Sequence, residues 1–290
     1  MKILITGANS YIGVSFENYI KSQNPDEYTV DTVDMQDPSW KTYDFSQYDT
    51  VFHVAGIAHA DVGNVSEETK QLYYKVNTDL AVEAAQKAKA EGVKQFIFMS
   101  SMIVYSGCNE TVITKETEPK ALNFYGDSKL QADLKLQEMN SQHFRVVILR
   151  PPMIYGKGSR GNYPQLAKLA YKLPVFPKFN NKRSMLYIDN LCQFIKLMID
   201  NQESGVFFPQ NSEYTETSQM VKMIAEVRHS KIAVVSGFQW AVKLLLKFPG
   251  KIGGLANKAF GDSVYEMSMS EYRQDYRVCS LSESIALTEG

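Results

Sequence analysis

Met1-Lys2-Ile3-Leu4-Ile5-Thr6-Gly7-Ala8-Asn9-Ser10-Tyr11-Ile12-Gly13 is the stretch that decides the fold class. The unbroken apolar run predicts a strand over Lys2–Thr6, buried on both faces. It ends in glycine and turns directly into a helical pattern over Tyr11–Gln23. Gly7 permits a tight turn, and Gly13 lets the helix lie close to the sheet. The helix amino terminus then offers free N–H groups and a positive dipole end to a pyrophosphate. Alone, such a turn is ordinary strand-to-helix chemistry. Its surroundings give it meaning. A second strand, Thr29–Asp34, closes on an acid 21 residues after Gly13. A carboxylate there accepts the adenosine-ribose hydroxyls and repels a 2′-phosphate. Met35 and Gln36 follow, with no basic residue, so NAD is expected rather than NADP.

Outward from this turn the chain alternates short apolar runs with helical patterns. Strands are expected at Val51–Val54, Gln95–Met99 and Arg145–Arg150, and helices at Glu67–Glu91 and Tyr125–Asn140. That alternation implies an α/β fold, a doubly wound parallel sheet with helices on both faces. After Pro151-Pro152 regularity fades, and Gly, Pro and Asn cluster between Gly156 and Lys182. Later helices are expected at Ile188–Asp200 and Ser218–His229. The partition is a dinucleotide-binding part over 1–155 and a smaller C-terminal α/β substrate-binding part over 156–290, with the chain crossing back around 183–210.

Composition narrows the function. With 290 residues, 44% hydrophobic and 22% charged, the chain is an ordinary globular protein. Its 31 basic and 32 acidic residues give a net charge of −1, which is no footprint for nucleic acid. No apolar run reaches the roughly 18–20 residues of a membrane span, and the first residues lack a signal-peptide pattern. Cys108, Cys192 and Cys279 are too scattered for a disulfide framework and contain no C-x-x-C. A cytoplasmic protein with reduced thiols is expected. None of His53, His59, His143 and His229 has metal-ligand spacing, so no metal is expected, and His53 reads as structural.

Tyr125 and Lys129 stand four apart in a helical pattern and share one face. The Gln95–Met99 strand runs into Ser100-Ser101 at its carboxyl end, where open α/β sheets bind ligands. A free phenol has a pKa near about 10. A nearby ammonium should lower it, so Tyr125 could exchange a proton with a sugar hydroxyl that Ser101 holds in line.

Together these features resemble an extended short-chain dehydrogenase/reductase of the NAD-dependent epimerase/dehydratase family, and the resemblance covers nearly the whole chain. The turn through Gly13 resembles T-G-x-x-G-x-x-G, and Asp44-Phe45 the pair that contacts adenine. Val51-Phe52-His53-Val54-Ala55-Gly56 resembles the strand beside the cofactor, and Asn77 the helix asparagine that supports the site. Ser100-Ser101-Met102-Ile103-Val104-Tyr105 resembles S-S-x-x-V-Y, and Tyr125-Gly126-Asp127-Ser128-Lys129 resembles Y-x-x-S-K. Leu149 to Gly156 resembles the strand that closes over nicotinamide, and Arg183 to Asp189 the stretch whose arginine binds a nucleotide diphosphate. The resemblance implies a Rossmann-type fold. It implies cofactor contacts at Gly7, Asn9, Ser10, Tyr11, Ile12, Gly13, Asp34, Met35, Asp44, Phe45, Val54, Ala55, Gly56, Asn77, Met99, Tyr125, Lys129 and Pro152. It places Ser101, Tyr125 and Lys129 in catalysis, and Met102, Met153, Asn162 and Arg183 on the substrate side; independently of the resemblance, Arg160 in the flexible basic loop Gly158–Tyr163 could join Lys182 and Arg183 in clamping a diphosphate. A homodimer through the helices at Glu67–Glu91 and Tyr125–Asn140 is also implied.

Departures shape the functional expectation. Ser10 replaces the middle glycine, and its hydroxyl could donate to the pyrophosphate. Met102 stands where sugar 4,6-dehydratases carry an acid, which argues against water elimination. Met153 stands where hexose epimerases often carry asparagine, and the chain is short for a hexose 4-epimerase. The leading expectation is an NAD-dependent 4-epimerase of a nucleotide sugar, a UDP-sugar first, working through a transient 4-keto sugar. The second is a nucleotide 4-keto-6-deoxy-sugar reductase of surface polysaccharide synthesis, and the third a non-catalytic dinucleotide-sensing regulator. Phe238–Gly261 interleaves Trp240, Val242, Leu244, Leu245, Leu246 and Phe248 with Lys243, Lys247, Lys251 and Lys258. It reads as a packed helix with lysines outward, or as a basic amphipathic stretch on a membrane surface. The latter would suit a sugar on a lipid diphosphate.

Overall fold

The computed structural model describes residues 1–58, 65–248, 253, 254, 256, 257 and 260–290. His59, Lys251 and Lys258 lie outside the described residues. The central sheet is built from β1 (Lys2–Thr6), β2 (Thr29–Val33), β3 (Thr50–His53), β4 (Gln95–Met99), β6 (Arg145–Leu149) and β10 (Gly205–Phe207). Its order is β2-β1-β3-β4-β6-β10, all parallel. Between the second and third of these lies only a single 3₁₀ turn, Pro38–Lys41. The winding therefore reverses at the β1/β3 boundary, where such sheets open a crevice.

Strand residues alternate between two cores, as the two-residue period requires. Ile3, Ile5, Phe52, Ile97, Val147 and Leu149 enter one with α1 (Tyr11–Gln23) and α6 (Ile188–Asp200). Leu4, Val51, Phe96, Phe98, Val146 and Ile148 enter the other. There they meet α3 (Leu80–Ala90) and α4 (Phe124–Glu138). Helix α3 offers Ala81, Ala84, Ala85 and Ala88, a small-residue stripe that lets it lie flat on the sheet. The first core runs on into α5 (Asn162–Lys172), α7 (Thr217–Val227) and the C-terminal helix Leu281–Glu289, so the later segments share the core of the sheet.

Short parallel pairs tie these later segments together. They join β5 (Val112–Ile113) to β12 (Val264–Tyr265) and β7 (Met153–Tyr155) to β9 (Met185–Tyr187). A third joins β8 (Val175–Pro177) to β11 (Ala233–Val235). Of the packed helix expected over Phe238–Gly261, the described residues form a helix over Gln239–Leu246 that buries only Val242. The boundaries of the strands and helices expected through His229 follow the sequence reading within one or two residues, with one exception. The helix expected over Glu67–Glu91 is α2 (Glu67–Tyr74) and α3 joined by a π turn at Lys75–Asp79. That extra residue per turn re-aims buried Asn77 and Thr78.

Candidate active site

The crevice begins at Gly7. Its φ is +123°, and a Cβ there would sit 2.7 Å from the Ala55 backbone nitrogen, so only glycine fits between β1 and the end of β3. Ser10 caps α1 by accepting from the Gly13 N–H at 3.2 Å. Its hydroxyl oxygen therefore serves the helix, and its extended φ of −71° shows why glycine is not needed there. Of the four amino-terminal N–H groups the Ser10 one goes to the Gly7 carbonyl. The Tyr11 and Ile12 groups have no carbonyl one turn back. They point from the end of the helix dipole, a donor set that fits a pyrophosphate.

Asp34 is exposed just beyond β2, with one carboxylate oxygen accepting from the Gln36 N–H at 2.9 Å. Met35 is buried beneath it. The Asp44–Phe45 pair is engaged with its own surroundings. Asp44 accepts from the Ser46 N–H and hydroxyl at 2.9 and 2.6 Å, which hold its carboxyl below the usual range. Phe45 is fully buried and its N–H donates to Glu91 at 2.6 Å.

The catalytic candidates converge at the carboxyl end of β4. Ser101 caps the 3₁₀ turn Met102–Tyr105, its hydroxyl accepting from the Ile103 N–H at 3.2 Å. Gly126, next to Tyr125, packs so tightly that a Cβ would stand 2.9 Å from the Ile103 carbonyl oxygen. That approach lays the start of α4 against the turn Ser101 caps. One helical turn on, buried Lys129 donates to the Met99 carbonyl at 3.1 Å and lies 5.0 Å over the Phe98 ring. Gly56, at the end of the neighbouring strand, faces the same ammonium: a Cβ would meet Lys129 Nζ at 2.9 Å and Asn77 Oδ1 at 3.0 Å.

Asn77 is the hub under this floor. It accepts from the Ile57 N–H at 2.8 Å and donates to the Ile57 carbonyl and the Ser128 hydroxyl at 3.1 and 3.0 Å. Thr78 adds a 2.6 Å bond to the Ser128 carbonyl. The π turn makes this reach possible. His53 is fully buried, shares a 2.8 Å bond with Thr6, and stacks on Phe96 and Phe98. Burial, reinforced by Lys129, holds it down at about 3, so it is neutral.

The electrostatics correct one expectation. Burial lowers Lys129 to about 8, with Asp133 pulling the other way. Burial, with a contribution from Tyr73, pushes Tyr125 up to about 12 rather than down. Lys129 donates to the Met99 carbonyl, and desolvation of the phenolate dominates the balance at Tyr125. Burial therefore favours the phenol of Tyr125 over its phenolate.

A support layer behind Ser101 escaped the sequence reading. Asp133, fully buried on α4, accepts two bonds from Arg150 at 2.8 Å and one from Ser100 at 2.8 Å. Arg150 also donates to Tyr105 at 2.7 Å, and its carbonyl accepts from Tyr265 at 2.8 Å. The available signal was Asp133 one turn beyond Lys129, in a helix face otherwise carrying Ala132 and Leu136.

On the substrate side the structure gathers some residues and not others. Arg183 bridges Thr215 and Ser263 and donates to the Gly261 carbonyl at 3.2 Å. Ser263 in turn contacts Met102 Sδ at 3.7 Å, so Met102 and Arg183 share one wall. Met153 is half-buried on β7, directly after buried Pro152. Asn162 opens α5, and Arg160 is exposed two residues before it. Ser263 and Gly261 were not anticipated. Among the described residues no cluster could hold a metal, and no helix is long and apolar enough to cross a membrane.

The profile of the NAD dependent epimerase/dehydratase family matches residues 3–208. This chain belongs to that family. The matched span includes the crevice at Gly7 and the candidates Ser101, Tyr125 and Lys129. The family member here is 32% identical over 209 residues to a UDP-glucose 4-epimerase of Vibrio cholerae, covering 69% of this chain and 63% of that one. It is 28% identical over 244 residues to an N-acetyl-alpha-D-glucosaminyl-diphospho-ditrans,octacis-undecaprenol 4-epimerase of Escherichia coli O157:H7, covering 79% and 72%. Among solved structures, a UDP-glucuronic acid 4-epimerase from Bacillus cereus overlays with a TM-score of 0.75 at 19% identity, over 100% and 98% of the two chains. A dTDP-4-dehydrorhamnose reductase from Clostridium acetobutylicum gives 0.73 at 21%, over 98% of both. At these identities the overlays establish the shared Rossmann-type α/β fold.

Proposed function

We propose that the protein is an NAD-dependent 4-epimerase of a sugar diphosphate, a UDP-sugar first, working through a transient 4-keto sugar. The observation that carries this reading is the closure of Gly126 onto the Ile103 carbonyl, which sets Tyr125 beside the turn capped by Ser101 with Lys129 beneath. Two 4-epimerases among the relatives support the choice of reaction. The donors of the first turn of α1 would hold the pyrophosphate of NAD, Asp34 its adenosine ribose, and Lys129 its nicotinamide ribose. When bound, NAD supplies the hydride acceptor and donor, and its cationic oxidised ring favours the Tyr125 phenolate. Ser101 holds the sugar 4-oxygen in line. Tyr125 takes the proton of the 4-hydroxyl and returns it when the alcohol is remade. Arg183, backed by Ser263 and Gly261, would grip the diphosphate by charge-assisted bonds.

The 4-keto-sugar reductase is the second reading, favoured by one observation. Burial pushes the Tyr125 phenol up to about 12, which favours the protonated form that donates to a nascent alkoxide. One experiment separates the two. The purified protein is incubated with UDP-glucose or UDP-N-acetylglucosamine without added cofactor, and products are followed by NMR. Formation of the 4-epimer supports the proposal. Absence of epimer, together with consumption of added reduced cofactor on a nucleotide 4-keto-6-deoxy sugar, establishes the reductase instead.

A further inference from the structure

The segment that carries β11 and the chain after it breaks the charge balance of the protein. Residues 229–261 hold five lysines and no acidic residue, in a protein whose net charge is −1. Within it, α8 (Gln239–Leu246) buries only Val242. Trp240, Leu244 and Phe248, at i, i+4 and i+8, are all exposed, Trp240 at 69%. Phe238 and Leu245 are exposed beside them. Lys243 and Lys247 are exposed one position ahead of Leu244 and Phe248, so they flank the apolar stripe.

We infer that this face docks on an anionic lipid bilayer. An aromatic and leucine stripe flanked by lysines, with the opposite side of the helix anchored by a buried valine, is the pattern of a helix lying in the membrane interface. The apolar stripe enters the acyl boundary, and the lysine stems cross it while their ammoniums meet anionic headgroups. Charge decides for this occupant over a second copy of the chain, because two such faces would bring like charges together. The inference does not depend on which reaction the site performs.

Tryptophan emission makes it directly testable. The chain has two tryptophans, and Trp40 is 2% exposed, so a change on adding vesicles reports Trp240. The full chain is mixed with phosphatidylcholine vesicles with or without phosphatidylglycerol, and binding is read by flotation and emission wavelength. Expected are flotation and a blue shift with the anionic vesicles, both reduced by high salt. Replacing Lys243 and Lys247 by Gln lowers the partition about 25-fold, about fivefold per lysine. The Trp240→Glu, Leu244→Glu variant no longer floats, while both variants keep the wild-type thermal melt. Failure of the wild type to float overturns the inference. So does wild-type flotation by the Glu variant. A wild-type dimer that ignores vesicles and becomes monomeric in the Glu variant assigns the face to self-association instead.

Discussion

Removing the Asp133 carboxylate is the sharpest test of how the site is held. Asp133 and Arg150 are both buried, joined by two bonds at 2.8 Å. Asp133→Ala leaves the guanidinium in the interior with the Tyr105 hydroxyl at 2.7 Å and two aromatic rings, Tyr105 and Phe208, centred 5.4 and 5.9 Å away. Breaking a buried pair from one side costs about 3–5 kcal/mol. The Ser100 hydroxyl loses its acceptor as well, for about 1 kcal/mol more. The expected loss is therefore about 4–6 kcal/mol, a large share of the roughly 5–15 kcal/mol that holds a domain folded. Urea unfolding followed by circular dichroism measures it. Replacing both partners, Asp133→Leu with Arg150→Met, removes both buried charges and should recover most of the loss. A loss under about 1 kcal/mol for Asp133→Ala, or a double variant no better than the single, would refute the description of this pair as a sealed, mutually dependent unit. Because Ser100 precedes Ser101, kcat of the single variant should also fall at temperatures where it remains folded.

Tyr125→Phe should cut turnover by about 10²–10⁴-fold and leave the urea midpoint essentially unchanged; near-normal turnover points to a non-catalytic role. Gly7→Ala meets both a φ of +123° and a Cβ contact of 2.7 Å. It should cost at least about 1–3 kcal/mol and reduce the NAD that co-purifies with the protein, as read by absorbance after denaturation. Asp34→Ser should raise affinity for NADP relative to NAD, measured by competitive titration; an unchanged ratio would remove Asp34 from the ribose site. Lys129 releases its proton near 8 when folded, against an ordinary 10.5. Between pH 8 and 10 the unfolded chain therefore binds more protons, and stability of the protein without NAD should rise with pH. Lys129→Met should flatten that rise. Above pH 10, Tyr125, raised to about 12, works in the opposite direction.

Much of the candidate site is legible along the chain because its determinants are local. The Gly7 turn, the Ser101 strand end and the Tyr125/Lys129 pair each lie within a dozen residues, where backbone geometry dictates residue type. The π turn at Lys75–Asp79 was not readable, since Asn77 needs it only to reach Ile57 and Ser128. The sign of the Tyr125 shift was misread for a related reason. Helical spacing put an ammonium on the same face, but burial of the phenol, which depends on how other elements pack over it, dominates.

By itself, the sequence determined the parallel sheet, the crevice at the end of β1, and the residue types that could run the chemistry. Hydrophobic period and glycine placement are short-range signals, and they survive in one dimension. The tertiary structure alone decided which polar groups become buried partners. Asp133 meets Arg150 across 17 residues, and Arg183 meets Gly261 across 78. It also decided that Val242 faces inward while Trp240, Leu244 and Phe248 face out. Burial and partner choice depend on how distant segments pack, and no local pattern of residue types encodes which side of a helix the rest of the chain will cover.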